Sequence, residues 1–240
     1  MDKEKIIQLQ DSLEKAWVWS GIPHALGKFT PIAISVTSYY ERLPRVYHTL
    51  DHIAHCLCEL GDAPVDYETR LRLRLAIWYH DVIYEPKRND NEKRSAAYFM
   101  SDARVVFVGN TDNPNRPISQ CNLGGTEGIK IKPRVFNIFS LILSTQYDSK
   151  LESEAERYLH DIDYSILGQP LDLFLEYDSN IRKEYGHLSD VEFDTGRLHF
   201  LNAIFAKPRI FLTDYFYEGY EIQAKSNLGK AIDYYLSKGR

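Results

Sequence analysis

The residues of this chain that could do chemistry are imidazoles and carboxylates in three separated groups. They are His48 and His52, His80 and Asp81, and Asp161 and Asp163. Nitrogen and oxygen ligands gathered from distant parts of a chain are what a divalent metal ion requires. The pattern therefore predicts a metal site.

Each group also has a purely structural interpretation. His48 and His52, four residues apart, share one face if their segment is helical, and that face could simply be solvated. His80 and Asp81 would point about 100° apart on a regular helix, so they converge on one ion only near a helix end. The apolar residues before them predict a buried position, where an unpaired Asp81 would be costly.

The late aspartates are separated by one residue, so in a helix their side chains diverge by about 200° and at most one of them reaches the ion. Either could instead cap the following turn. Asp163 stands directly ahead of an apolar segment and is the predicted ligand.

Composition sets limits on the class of protein. The chain has 240 residues, is 44% hydrophobic and 26% charged, and is expected to form one domain over residues 1–240. A net charge of -5 argues against long nucleic-acid contacts. Only three cysteines and no apolar run of about 20 residues predict a cytoplasmic protein without membrane spans.

Helical recurrence of apolar residues predicts an all-α fold. The predicted helices cover about 5–19, 34–42, 48–60, 67–79, 91–100, 134–143, 152–167, 171–185, 192–206 and 217–236. Val105–Val108 is β-branched and predicts a short strand or a buried loop. A surface insertion is expected over about 104–133, because its second part is rich in Gly, Asn, Pro, Thr and Ser.

Four motifs taken together resemble the HD superfamily of metal-dependent phosphohydrolases, and within it a group of uncharacterised predicted HD phosphohydrolases. They are Tyr47-His48-x-x-x-His52-Ile53, Ala76-Ile77-Trp78-Tyr79-His80-Asp81, Asp90-Asn91-Glu92-x-x-Ser95-Ala96 and Asp161-x-Asp163-x-Ser165-Ile166-Leu167-Gly168. Segments 181–185 and 196–197 are similar to that group as well, so the resemblance covers most of residues 39–227.

The resemblance implies an all-helical HD fold that holds one divalent metal ion through His52, His80, Asp81 and Asp163. The ion could be Mn, Fe, Co, Ni, Zn or Mg, since mixed imidazole and carboxylate sites accept several metals. Dinuclear HD enzymes carry two further histidines before the last aspartate, and only His160 lies there.

The implied activity is hydrolysis of a phosphate ester or anhydride, with a nucleotide as the expected small substrate. Tyr47-His48 is similar to the Tyr-His-Asn motif of cyclic-nucleotide phosphodiesterases, which makes His48 the expected general acid. Asp81 or Asp163 would orient the attacking water, and Glu92 or Ser95 would hold a water near the metal.

Arg182 and Arg197 are expected either to clamp phosphate or to form surface ion pairs. The alternative to an enzyme is a non-catalytic HD module that binds a metal or a nucleotide and acts through partners. A structural ion is a third possibility. The oligomeric state is open.

Overall fold

The computed structural model describes residues 2–19, 29–108 and 126–238. Throughout these ranges the regular secondary structure is helical, which confirms the predicted all-α class. The helices are α1 (Lys3–Trp19), α2 (Phe29–Tyr40), α3 (Leu50–Asp62), α4 (Tyr67–Tyr79), α5 (Asn91–Val108), α6 (Thr126–Ser144), α7 (Glu154–Tyr164), α8 (Leu171–Glu184), α9 (Asp190–Phe205) and α10 (Asp214–Lys238), with a 3₁₀ turn at Ser165–Gly168 between α7 and α8.

The insertion predicted over 104–133 is wrong at both ends. Val105–Val108 forms the last turn of α5 rather than a strand or loop, because Ala103 and Val106 are buried against the core and packing outweighs the weak helix propensity of valine. Helix α6 begins at Thr126, ahead of the predicted start at 134, and includes Pro133. Residues 109–125 lie outside the described ranges.

The start of α3 also differs from the prediction. Thr49 is the N-cap residue, and its hydroxyl accepts a hydrogen bond from the Asp51 amide. The helix therefore begins at Leu50, and His48 lies just before it rather than inside it. His48 and His52 nevertheless remain neighbours, with ring centroids 5.9 Å apart.

Helix α4 is the central helix of the fold. Leu71, Leu73 and Leu75 alternate as in a strand, yet all three are buried, and Ala76 to Tyr79 are fully buried as well. This alternation reflects a helix covered on several sides by neighbours, among them α1, α3, α6 and α7. The C-terminal end of α4 therefore lies in the protein interior.

Hydrogen bonds attach the segments around this helix end. The Tyr40 hydroxyl of α2 donates to the Trp78 carbonyl at 2.9 Å. Arg45, which precedes α3, donates to the carbonyls of Asp81 at 2.7 Å and Val82 at 2.8 Å. The chain before α3 is thus fastened to the chain after α4. None of the described helices is long and apolar enough to cross a membrane.

Candidate metal centre and its cavity

His80 is the C-cap residue of α4, and Asp81 follows it, so both leave the regular helix at the point where their side chains can converge. The Nδ1 atom of His80 donates to the carbonyl of Ile77 at 2.8 Å. That bond favours the tautomer in which Nε2, once it has lost its proton, is the atom free to bind a metal ion, as in most metal-binding histidines.

The four predicted ligands lie together. His52 Nε2 is 3.2 Å from His80 Nε2 and 3.3 Å from Asp163 Oδ1. Asp81 Oδ2 is 3.1 Å from His80 Nε2 and 3.9 Å from His52 Nε2. Atoms that each bind one ion at 2.0–2.2 Å are separated by roughly 3–3.5 Å. The arrangement therefore fits a single divalent ion.

Helices α3, α4 and α7 supply these groups and contact one another. Asp163 belongs to the last turn of α7, and its Oδ1 also lies 3.6 Å from His80 Nε2. Asp161 faces a different part of the protein, where its carboxylate accepts hydrogen bonds from the Leu212 and Thr213 amides. His160 bonds to Asp161 at 3.0 Å and stacks on Tyr164. Neither residue therefore adds a ligand for a second ion.

Charge balance in the centre favours a cation. Burial opposes charge on His80, yet the neighbouring Asp81 and Asp163 carboxylates raise its pKa well above the usual value. Burial likewise opposes charge on Asp163, but hydrogen bonds from His52 and His80 lower its pKa well below the usual value. The two carboxylates are half-buried and lie beside imidazoles that stabilise their negative charge, and a divalent ion between them would supply positive charge in the same place.

The thiol of Cys56 is a neighbour that the sequence analysis did not include. Its Sγ lies 3.7 Å from His52 Nδ1, one turn further along α3. Among the described residues, ligand-type atoms fall into two overlapping sets, His52 with His80 and Asp81, and His52 with Cys56 and Asp163. Burial raises the pKa of Cys56, so the group is a neutral thiol and a weaker ligand than the carboxylates.

His48 faces the centre from the segment before α3. Its Nε2 lies 3.9 Å from Asp81 Oδ2, and its ring stacks on Tyr84 at 3.9 Å. On the opposite side of the ring, Nδ1 is 2.6 Å from Glu184 Oε2. Burial would lower the pKa of His48, but the bond to Glu184 and the charge of Asp81 raise it above the usual value. The raised pKa favours the protonated form of His48, and its Nε2 lies on the side of the ring that faces Asp81.

Glu184, at the end of α8, is the functional residue that the sequence analysis missed. One of its oxygens, Oε1, accepts hydrogen bonds from the amides of Val46, Tyr47 and His48 at 2.7–2.9 Å. Burial would raise its pKa, yet the bond and charge of His48, with the backbone amides, lower it to about 2. The carboxylate therefore holds both the backbone and the ring of His48.

Glu92 and Ser95, on α5, are placed differently from each other. Glu92 lines the cavity beside the centre, and partial burial raises its pKa. Ser95 instead exchanges two hydrogen bonds of 3.1 Å with the backbone of Ile83. Its contacts fix the loop that follows Asp81 and do not reach the ligand atoms.

Arg182 and Arg197 differ in their position relative to the cavity. Arg182 donates to Asp190 at 2.6 Å and to the carbonyls of Tyr185 and Leu188, outside the residues that line the cavity. This geometry supports the ion-pair alternative for Arg182. Arg197 lines the cavity and is only 7% exposed.

The centre opens on a cavity of about 450 Å³. The residues of the centre that line it are His48, His80, Asp81 and Asp163. Much of the remaining wall is aromatic, from Tyr84, Tyr147, Tyr164, Tyr177, Tyr185, Phe193 and Phe200. The volume falls within the ~300–1,000 Å³ usual for small-molecule sites.

Comparison of the chain with protein-family models, with curated proteins and with solved structures found no match. The functional argument therefore rests on the residues and their geometry.

Proposed function

We propose that this chain is a metal-dependent phosphohydrolase that acts on a phosphate ester or anhydride of a small molecule. The observation that carries the proposal is the geometry of His48, whose Nδ1 lies 2.6 Å from Glu184 Oε2 and whose Nε2 lies 3.9 Å from Asp81 Oδ2 in a two-histidine, two-carboxylate centre. The resemblance of the motifs to HD phosphohydrolases supports the same reaction class.

The accessible position of the centre argues against a purely structural ion. Structural sites are closed by protein ligands, whereas catalytic sites keep a position for water or substrate. Three of the four ligands, His80, Asp81 and Asp163, line the cavity, while His52 is buried behind them. A small molecule in the cavity would meet these ligands directly.

A bound divalent ion would act as a Lewis acid on the phosphoryl group and would favour ionisation of a water. The chain supplies the proton for the departing group. Hydrolysis breaks the bond between phosphorus and the leaving oxygen, and His48 Nε2–H is placed to protonate that oxygen as it departs. The conjugate imidazole is stabilised in its orientation by Glu184, which keeps its bond to Nδ1.

Asp81 has a separate role in this proposal. Burial raises its pKa, but the charge and hydrogen bond of His80, together with the charge of His48, outweigh that effect and lower it below the usual value. A carboxylate that remains ionised is a poor proton acceptor and a good hydrogen-bond acceptor. Asp81 therefore orients the attacking water as well as holding the ion.

The experiment is a phosphate-release assay on a panel of phosphomonoesters, phosphodiesters and nucleotides, with Mn²⁺, Mg²⁺, Co²⁺, Ni²⁺ or Zn²⁺ added to metal-free protein. The proposal expects release that depends on one of these ions and that disappears in Asp163→Asn. This substitution keeps the size of the side chain but removes a charged ligand.

Arg182→Gln is the matched control, because it also removes an ionic side chain but lies outside the cavity. It should retain activity. Metal and nucleotide binding by the wild type without phosphate release from any compound would contradict the enzyme and support the binding-module alternative.

A further inference from the structure

Arg197 is a buried guanidinium with few protein partners. Its Nε donates to Asp178 Oδ1 at 2.8 Å, and Asp178 Oδ2 accepts from the Tyr235 hydroxyl at 2.6 Å. Its Nη2 is fully buried and, within the described part of the chain, has no hydrogen-bond partner. Buried donors are normally paired, because an unmade hydrogen bond costs the full desolvation of the group. The guanidinium of Arg197 therefore has donor capacity that the described part of the protein does not use.

The surroundings of Arg197 hold the guanidinium in place. It lies between the rings of Tyr177 and Phe200, at 5.0 and 5.1 Å from their centroids. Burial would lower the pKa of Arg197, but nearby Tyr177 and Asp178 raise it. Arg197 is thus a fixed cation at the cavity wall.

Arg197 and the metal centre belong to the same cavity. The Tyr177 ring that contacts Arg197 lies 4.6 Å from the Tyr47 ring, and Tyr47 lies 4.9 Å from the His52 ring. Two aromatic rings therefore separate the guanidinium from the ligand set. One molecule of moderate size can reach both.

We propose that Arg197 is the specificity-determining residue of this cavity and donates to an uncharged acceptor, a carbonyl oxygen on a planar ring system, at the end of the substrate opposite the phosphoryl group. This inference rests on the proposed function for the position of the phosphoryl group. It goes beyond that function by naming the chemistry that the far end of the cavity recognises.

An uncharged acceptor fits better than a second anion because Asp178 already balances the charge of Arg197 at 2.8 Å. The site needs an acceptor for spare N–H groups and does not need a further negative charge. The rings on the wall offer flat apolar surface for stacking, which favours a planar body such as a nucleobase.

Gly196 provides an independent way to test the cavity. Residues 192, 193, 196, 197 and 200 of α9 all line it, and this spacing forms one helix face with Gly196 at its middle. A Cβ at Gly196 would meet no atom within 4 Å. Gly196→Leu would therefore add apolar volume on the cavity side of α9 and leave Arg197 and Asp178 unchanged in sequence, and leucine has the higher helix propensity.

The test is the equilibrium binding of uridine, guanosine, cytidine and adenosine 5′-monophosphates, compared with ribose 5-phosphate, by calorimetry on the metal-loaded protein. We expect at least one carbonyl-bearing mononucleotide to bind about 10–100-fold more tightly than ribose 5-phosphate. Arg197→Gln and Gly196→Leu should each bring that ratio close to one. Arg182→Gln, the same substitution outside the cavity, should leave it unchanged, and thermal melting checks that every variant is folded.

Equal binding of the mononucleotides and ribose 5-phosphate by the wild type would overturn the inference, as would a ratio that survives Arg197→Gln. Tighter binding of fructose 1,6-bisphosphate, with no advantage for mononucleotides, would show that Arg197 takes a second anion and would also overturn it. Phosphate release is scored separately. Selective binding without release would contradict the proposed hydrolase and leave the role of Arg197 supported.

Discussion

Replacing Glu184 by glutamine should separate the support of His48 from the binding of metal. The substitution preserves the size of the side chain and an oxygen that can accept from the amides of residues 46–48. It removes the charge that faces His48 Nδ1 at 2.6 Å. None of the four proposed ligands is changed.

The magnitude follows from linkage. The carboxyl group of Glu184 has an ordinary pKa of 4.5 and a folded-state pKa of about 2, and it is only 2% exposed. A depressed pKa means that the ionised group stabilises the fold above about pH 4.5, and that this contribution disappears as the pH falls toward 2. A shift of this size corresponds to about 3 kcal/mol. Glu184→Gln should therefore lose about 3 kcal/mol of unfolding free energy at pH 7 and progressively less below pH 4.5.

Urea denaturation of both proteins between pH 3 and pH 8, at matched metal content, measures this difference. Activity gives a second readout. His48 is a donor while it is protonated, and its pKa lies above the usual 6.5, so the rate should fall as the pH rises through that raised value. In Glu184→Gln the falling limb should move to lower pH, because the support for the imidazolium is gone.

Glu221→Gln is the matched control for this substitution. Glu221 is also a buried carboxylate that accepts from backbone amides, those of Ile210 and Phe211 at 3.0–3.1 Å, and it lies outside the cavity lining. It should lose stability but keep the rate–pH profile of the wild type. The proposed role of Glu184 would be wrong if the unfolding free energy of Glu184→Gln at pH 7 were within about 0.5 kcal/mol of the wild-type value. It would also be wrong if the rate–pH profile did not shift.

Three further substitutions test other parts of the site. His48→Ala should retain metal and lower kcat by ~10²–10⁴-fold on an alkyl phosphate ester but much less on a nitrophenyl ester, which needs little protonation; equal losses in the two assays would mean that His48 positions the phosphoryl group instead. His80→Ala should lose the metal in elemental analysis and melt at lower temperature, because the half-buried Asp81 and Asp163 lose the imidazole that lies 3.1 and 3.6 Å from them; full metal content would remove His80 from the ligand set. Gly168→Ala should cost about 1–3 kcal/mol in denaturant unfolding, because its Cβ would lie 2.7 Å from the Cβ of Tyr220; an unchanged midpoint would mean that α10 adjusts freely.

The four proposed ligands were named in full by the resemblance and in part by local chemistry, and in the structure they lie close together. The side-by-side imidazole and carboxylate of His80 and Asp81 follow an apolar run, and helix geometry allows only one of Asp161 and Asp163 to face a given site. In the structure, Asp163 lies beside His52, while Asp161 accepts backbone amides elsewhere. Periodicity similarly predicted the helices, and their ends differ where packing or a cap decides them.

Glu184 could not be predicted, because its contact with His48 joins positions 136 residues apart and depends on how α8 ends beside the segment before α3. A glutamate in a charged helical turn has no local signal of burial. Arg182, two residues earlier, was expected either to clamp phosphate or to form a surface ion pair. Its partners in the structure are Asp190 and two backbone carbonyls. Which partner a charged side chain contacts depends on the tertiary structure, and composition and spacing do not specify it.

Dependence of hydrolysis on a single metal ion can be measured by titrating metal-free protein with the most active divalent ion. Bound metal per chain and phosphate release are followed together during the titration. The rate of phosphate release should rise in proportion to the metal occupancy of the centre and reach its maximum at one ion per chain. Asp163→Asn should neither bind metal at this site nor release phosphate. Release that is independent of bound metal, or saturation only at two ions per chain, would contradict this dependence on a single ion.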